Sequence, residues 1–142
     1  IQWRRSLIPA NSLASVYGLV RHSADARIFG PDIETDVVAI DECNTVVNCQ
    51  RIARQIKEAG AGLVCLVGVQ SNQFPRTVDI ARQFRDNNIA VVIGGFHVSG
   101  CLSMLPALPD DIQEVLDIGV SLFAGEAEGQ MENLLRDAFE DR

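Results

Sequence analysis

The chain has 142 residues, 47% hydrophobic and 22% charged, the length of one ordinary domain with enough apolar side chain for its own core. Twelve Lys and Arg stand against 19 Asp and Glu, a net charge of −7, which repels a phosphate backbone and argues against nucleic-acid binding. The longest apolar runs, 63–69 and 89–95, are too short to cross a bilayer, and no secretory signal pattern opens the chain, so no membrane association is expected and the cytoplasm is the default compartment.

In chain order, short apolar runs alternate with helical periodicity, the signature of a βαβ domain. Residues 1–9 are expected to form a weak first strand, after which Asn11 or Ser12 caps a helix with Leu13, Val16, Tyr17 and Val20 on one apolar stripe. A loop with the turn signal Gly30, Pro31, Asp32 leads into a second strand at 36–40, which ends in Asp41 and Glu42. Cys49, Ile52, Ala53, Ile56 and Ala59 form the buried face of a second helix, with Arg51, Arg54, Gln55 and Lys57 outside and Gly60 as its stop.

Residues 63–69 lack polar alternation, as in a parallel strand covered on both faces, and should be central. Val78, Ala81 and Phe84 mark a helix that stops near Asn87 and Asn88, and 89–93 form the next strand, ended by Gly94 and Gly95. His97 to Pro109 reads as irregular or as one short helical turn; a helix from about Asp110 then turns Ile112, Val115 and Leu116 inward before Gly119. Residues 120–124 are the last strand, and Met131, Leu134, Leu135, Ala138 and Phe139 line a terminal helix with Glu126 and Glu128 near its positive end. In a parallel sheet with right-handed crossovers the strand-to-helix loops share one edge. Asn11 and Ser12, Asp41 and Glu42, Gln70 to Gln73, Gly94 to His97 and Gly125 to Glu128 should therefore surround one crevice, where open α/β sheets bind ligands.

The residues of that collar leave several chemistries open. Gly94 and Gly95 either close a turn that needs positive φ or let a flat ligand approach the backbone. GxGxxG and GxxxxGK[ST] are both absent, which disfavours dinucleotide and nucleoside-triphosphate sites. His97 is a candidate general base or metal ligand, but with no second histidine or cysteine cluster nearby it reads first as a hydrogen-bonded structural histidine. No GxSxG nucleophile elbow occurs. Gln70, Ser71 and Asn72 either satisfy their own loop or suit a ligand rich in amides and carbonyls. Cys43, Cys49, Cys65 and Cys101 lack CxxC or CxxxCxxC spacing and read as free thiols, Cys65 as a small core hydrophobe.

The succession "PANSL", "LVGVQSNQ", "VVIGGFHVS" and "FAGEAEG" resembles the cobalamin-binding (vitamin B12-binding) domain that precedes the catalytic barrel in many radical S-adenosylmethionine (radical SAM) enzymes. The resemblance runs from about Pro9 to Phe139; its most specific parts are the GGxH of Gly94 to His97 and the GExE of Gly125 to Glu128. It implies one flavodoxin-like (Rossmann-like) α/β domain over residues 1–142, a doubly wound parallel five-stranded sheet of order 2-1-3-4-5. It also implies a corrin ring over the loop edge, with cofactor-binding residues Asn11, Ser12, Gln70, Ser71, Asn72, Gly94, Gly95, Phe96, His97, Gly125 and Glu126. Mutases of the wider group carry a DxHxxG loop after the first strand, whose His binds cobalt. Here "PANSLAS" stands in that place, so no histidine ligand of that kind is expected.

The catalytic half of such enzymes has a CxxxCxxC motif for a 4Fe-4S cluster that cleaves S-adenosylmethionine. This chain has none, and by the resemblance it is the accessory half, a methyl carrier or electron-transfer partner facing a barrel beyond Arg142. A first residue of Ile1 also fits a piece of something longer. Two other readings stand beside it: a cofactor-free flavodoxin-like interaction or regulatory domain, and a small-molecule enzyme built on His97 and Glu126.

Overall fold

The computed structural model describes residues 10–140. They fall into two units, one of residues before 49 together with those from 127 onward, the other running from Cys49 to Glu126.

In the first unit, helix α1 (Asn11–Asp25) packs against α6 (Met131–Phe139). Leu13, Val16 and Val20 are half-buried as their spacing predicts, whereas Tyr17 is exposed. Phe29 stacks on Phe139 with ring centroids 4.8 Å apart, so the aromatic that ends the terminal helix has an apolar neighbour although half its surface is in solvent. The helix cap is Ala10, without a side-chain capping bond, in place of the expected Asn11 or Ser12.

The second unit holds α2 (Cys49–Ala59), β1 (Leu63–Leu66), α3 (Phe74–Arg85), β2 (Ala90–Gly94), α4 (Phe96–Met104), α5 (Asp110–Asp117) and β3 (Ser121–Phe123). The three strands form a parallel sheet in the order β1-β2-β3, with Leu63 opposite Ala90 and Val92 opposite Ser121. Phe74 and Phe84 of α3, Val91 and Ile93 of β2, Val98 of α4, and Ile112 and Val115 of α5 are fully buried and make the core. α2 ends where expected, with Gly60 at φ 94° in the left-handed region that glycine enters without steric cost.

This architecture is α/β, but it corrects the five-stranded sheet of order 2-1-3-4-5. Of the five expected strands, the one at 1–9 lies outside the described residues, and 36–40 is irregular chain. Val38 there is 73% exposed. The four-residue apolar run between Asp36 and Asp41 pairs with no strand among the described residues, and an isolated strand leaves its backbone groups to water. The centre of the sheet is also displaced. β2 is central with its middle three residues buried, while β1 lies at an edge among the described strands and is half-buried throughout. An unbroken apolar run reports cover by helices and says nothing of the number of strand neighbours.

A second correction concerns 96–104, expected to be irregular or a single turn and in fact a nine-residue helix. Its sequence, FHVSGCLSM, is apolar or small apart from His97, so it carries no amphipathic period to read. In α5, Ile112 and Val115 are buried as expected, but Leu116 is exposed.

Candidate functional site

Because the strands are parallel, the loops after β1, β2 and β3 leave from the same edge of the sheet. Two backbone hydrogen bonds join the first two. The Val69 N–H donates to the Gly94 carbonyl (3.2 Å), and the Val69 carbonyl accepts from the His97 N–H (3.1 Å). Gly95 passes between them at φ 144°, where an added Cβ would lie 2.2 Å from the Val69 nitrogen. The glycine requirement at this position is thus met by protein backbone. Gly94 is less constrained, its nearest neighbour being the Phe123 carbonyl at 3.4 Å. A third link reaches the loop after β3, where the Gly125 N–H donates to Ser99 Oγ (3.1 Å).

The bracket around Gly95 sets His97 on the first turn of α4 with its imidazole amid four side chains. Ser71 Oγ, from the loop after β1, is 3.0 Å from Nδ1. Asp111 Oδ2, from the first turn of α5, is 3.1 Å from Nε2. The Phe74 ring covers the imidazole at a centroid distance of 4.3 Å, and Cys101 Sγ, one helical turn on, lies 3.9 Å from Nε2. A carboxylate only accepts, so in the neutral ring the proton sits on Nε2 and donates to Asp111; Nδ1 then accepts from the Ser71 hydroxyl. Asp111 is held in turn, its Oδ1 accepting from the Ile112 N–H at 2.9 Å at the N-terminal end of α5, where a carboxylate is favoured. The His97 side chain is 13% exposed, whereas Ser71 opens to solvent.

Cys101 is buried beside this ring, and burial, then the Asp111 carboxylate, raises its thiol above the ordinary value. It is a neutral thiol near pH 7 and a poor nucleophile.

Gln70 and Asn72 are exposed, and their side-chain amides have no partner among the described residues, while Gln73 Oε1 accepts from the Gln70 N–H (3.1 Å) and tightens the loop. Phe96 is 76% exposed. Gly125 and Glu126 are exposed, and a Cβ on Gly125 would meet open space. Asn11 and Ser12 are exposed on the first turn of α1 and belong to the first unit. In that unit Asp41 closes its own turn, accepting from the Cys43 N–H and from the Asn44 amide.

The sequence singles out Ser71, His97 and the free thiol of Cys101, but not Asp111 or Phe74, nor the place of Cys101 beside the imidazole. The pairing of His97 with Cys101 is an i, i+4 relation, legible once 96–104 is known to be helical. Asp111 lies 14 residues from His97, and no local pattern links them. The absent GxSxG elbow did not exclude a serine, a histidine and an acid in hydrogen-bonded sequence; here they come from three separate elements. Two surface hollows, about 410 Å³ along α2 near Arg54 and Lys57 and about 480 Å³ over residues 42–46, include no part of this cluster. Among the described residues, no group of three His, Cys, Asp or Glu side chains is placed to hold a metal ion. Comparison with protein-family models, curated proteins and solved structures finds no match to this chain.

Proposed function

We propose that this chain is the cobalamin-binding module of a radical S-adenosylmethionine enzyme, with the corrinoid at the C-terminal edge of the sheet and the catalytic barrel in another part of the protein. The observation that carries the reading is the convergence of the "GVQSN", "GGFHVS" and "AGE" loops on one edge of a parallel sheet. The donor set suits a ring rimmed with amide side chains. The carboxamides of Gln70 and Asn72 are free of described protein partners, Phe96 offers an exposed aromatic face, and Gly125 at φ 91° leaves room for close approach. Bound cobalamin supplies a methyl group or an electron at its cobalt. Gln70 and Asn72 would hydrogen-bond its amide rim, and Phe96 would exclude water from one side. Both His97 nitrogens are engaged within the protein, by Ser71 and Asp111, which supports a corrinoid without a histidine on cobalt.

The test is gel filtration of the chain mixed with hydroxocobalamin. A co-eluting corrin spectrum is expected, and the bound cob(II)alamin should give an electron paramagnetic resonance spectrum without nitrogen superhyperfine splitting, unchanged in His97→Ala. A nitrogen-split spectrum that collapses in that variant would make His97 a ligand.

One observation favours a second reading, a cofactor-free interaction domain: Gly94 and Gly95 face the Phe123 and Val69 backbone respectively, so neither glycine needs a ligand to explain it. Elution free of corrin at high protein concentration selects that reading.

A further inference from the structure

Ser71, His97 and Asp111 lie in a hydrogen-bonded line whose order, exposed hydroxyl, imidazole, carboxylate, is that of an activated nucleophile. We propose that this line is a working relay: Ser71 is a nucleophile towards small activated carboxylic esters, His97 is its general base, and Asp111 is the positioning residue that fixes the imidazole.

Three features of the cluster carry the assignment. The first is the tautomer. Asp111 accepts from Nε2–H, which leaves the Nδ1 lone pair facing the Ser71 hydroxyl at 3.0 Å, within the reach a general base needs. The second is restraint of the base. Its backbone is tied to Val69, its ring is covered by Phe74, and Asp111 is itself held by the Ile112 N–H; a base held on several sides loses little freedom on reaching the transition state. The third is access. Ser71 is open to solvent, whereas Cys101, the other nucleophilic atom beside the ring, is buried with its thiol raised. The geometry therefore selects the serine over the cysteine. Asn72 follows the nucleophile directly, and its exposed carboxamide, without a described protein partner, is a donor available to an oxyanion.

In the reaction, Ser71 Oγ attacks the ester carbonyl carbon as its proton passes to His97 Nδ1. The bond from that carbon to the alcohol oxygen breaks, and the alkoxide leaves with the proton from His97. Water then attacks the acyl-serine and gives one proton to His97 Nδ1, the bond from the acyl carbon to Ser71 Oγ breaks, the carboxylic acid leaves, and Ser71 takes that proton from His97. The sum is one ester and one water to one acid and one alcohol.

The test needs no corrinoid, so its outcome is separate from that of the cobalamin reading. The folded chain is treated with diisopropyl fluorophosphate, which transfers its phosphoryl group to an activated serine with loss of fluoride, and the adduct is mapped by peptide mass spectrometry. An adduct on Ser71 is expected, absent in Ser71→Ala. Labelling should fall by about 100-fold or more in His97→Gln, within the range of general-base effects. Asp111→Ala should label slowly and recover on addition of formate, which a purely structural role for Asp111 would not produce. Circular dichroism confirms that the variants compared are folded, and Asp111→Asn serves should His97→Gln unfold, with labelling expected to fall at least tenfold. An unlabelled wild-type chain, an adduct at another residue, or equal rates in the wild type and a folded His97 or Asp111 variant would overturn the proposal.

Discussion

Gly95 combines φ 144° with ψ −172°, a region that only glycine occupies without strain. The closeness of Val69 adds a second restriction, since an alanine Cβ would sit 2.2 Å from its nitrogen and 2.7 Å from its oxygen. Gly95→Ala should therefore cost about 3 kcal/mol or more, beyond the strain of the dihedral alone. Gly94→Ala meets its nearest atom at 3.4 Å and should cost no more than about 1 kcal/mol, the ordinary scale of a tolerated substitution. Urea midpoints of the two variants test this, and equal shifts would show that the crossing at Val69 is not what selects glycine. Only the Gly–Gly pair and its place after a buried run are legible in the sequence. That the two glycines face different neighbours is a tertiary fact.

At the level of elements, Arg85 fastens the end of α3 to two others. Its Nε donates to the Ile118 carbonyl (3.1 Å) after α5, and its Nη1 to the Ile89 carbonyl (3.0 Å) at the entry to β2. Both bonds are part-buried, and hydrogen bonds to a charged group in such places are worth about 1.5–3 kcal/mol. Arg85→Met, which keeps the stem and removes the donors, should lower stability by about 2–3 kcal/mol. One turn earlier on the same helix Arg82 pairs with Glu114, with side chains 43% and 50% exposed. Glu114→Gln should cost under about 1 kcal/mol, because solvent screens an exposed pair. Thermal melts of both variants read the contrast; comparable losses would mean that the Arg85 bonds contribute no more than a surface pair. The helices themselves were readable from apolar spacing at α2, α3, α5 and α6. α4 was not, because a helix without a polar face carries no period.

Across the whole molecule, the burial of Cys65 makes stability depend on alkaline pH. Burial pushes its thiol up to about 11 from an ordinary 9.0. The folded chain then holds this proton more tightly than the unfolded one, so the contribution is full below pH 9 and is lost as pH rises towards 11, at about 1.4 kcal/mol per unit in that window. Urea midpoints measured from pH 8 to 11 should fall more steeply for the wild type than for Cys65→Val; parallel curves would place the alkaline loss in other groups. No helix of the described residues is long and apolar enough to cross a membrane.

What the sequence by itself determined is local: a strand within each of 63–69, 89–93 and 120–124, found at 63–66, 90–94 and 121–123, and the amphipathic helices around them. Apolar period and turn chemistry act over a few residues, and a single chain displays them directly. Strand number and strand centrality were decided only in three dimensions, since an apolar run such as 36–40 becomes a strand only where another strand is beside it to share hydrogen bonds. The same reason hides the relay. Ser71, His97 and Asp111 stand on a loop, a helix and another helix, 26 and 14 residues apart, and only the packing of α4 and α5 at the edge of the sheet turns three unremarkable polar side chains into one hydrogen-bonded line.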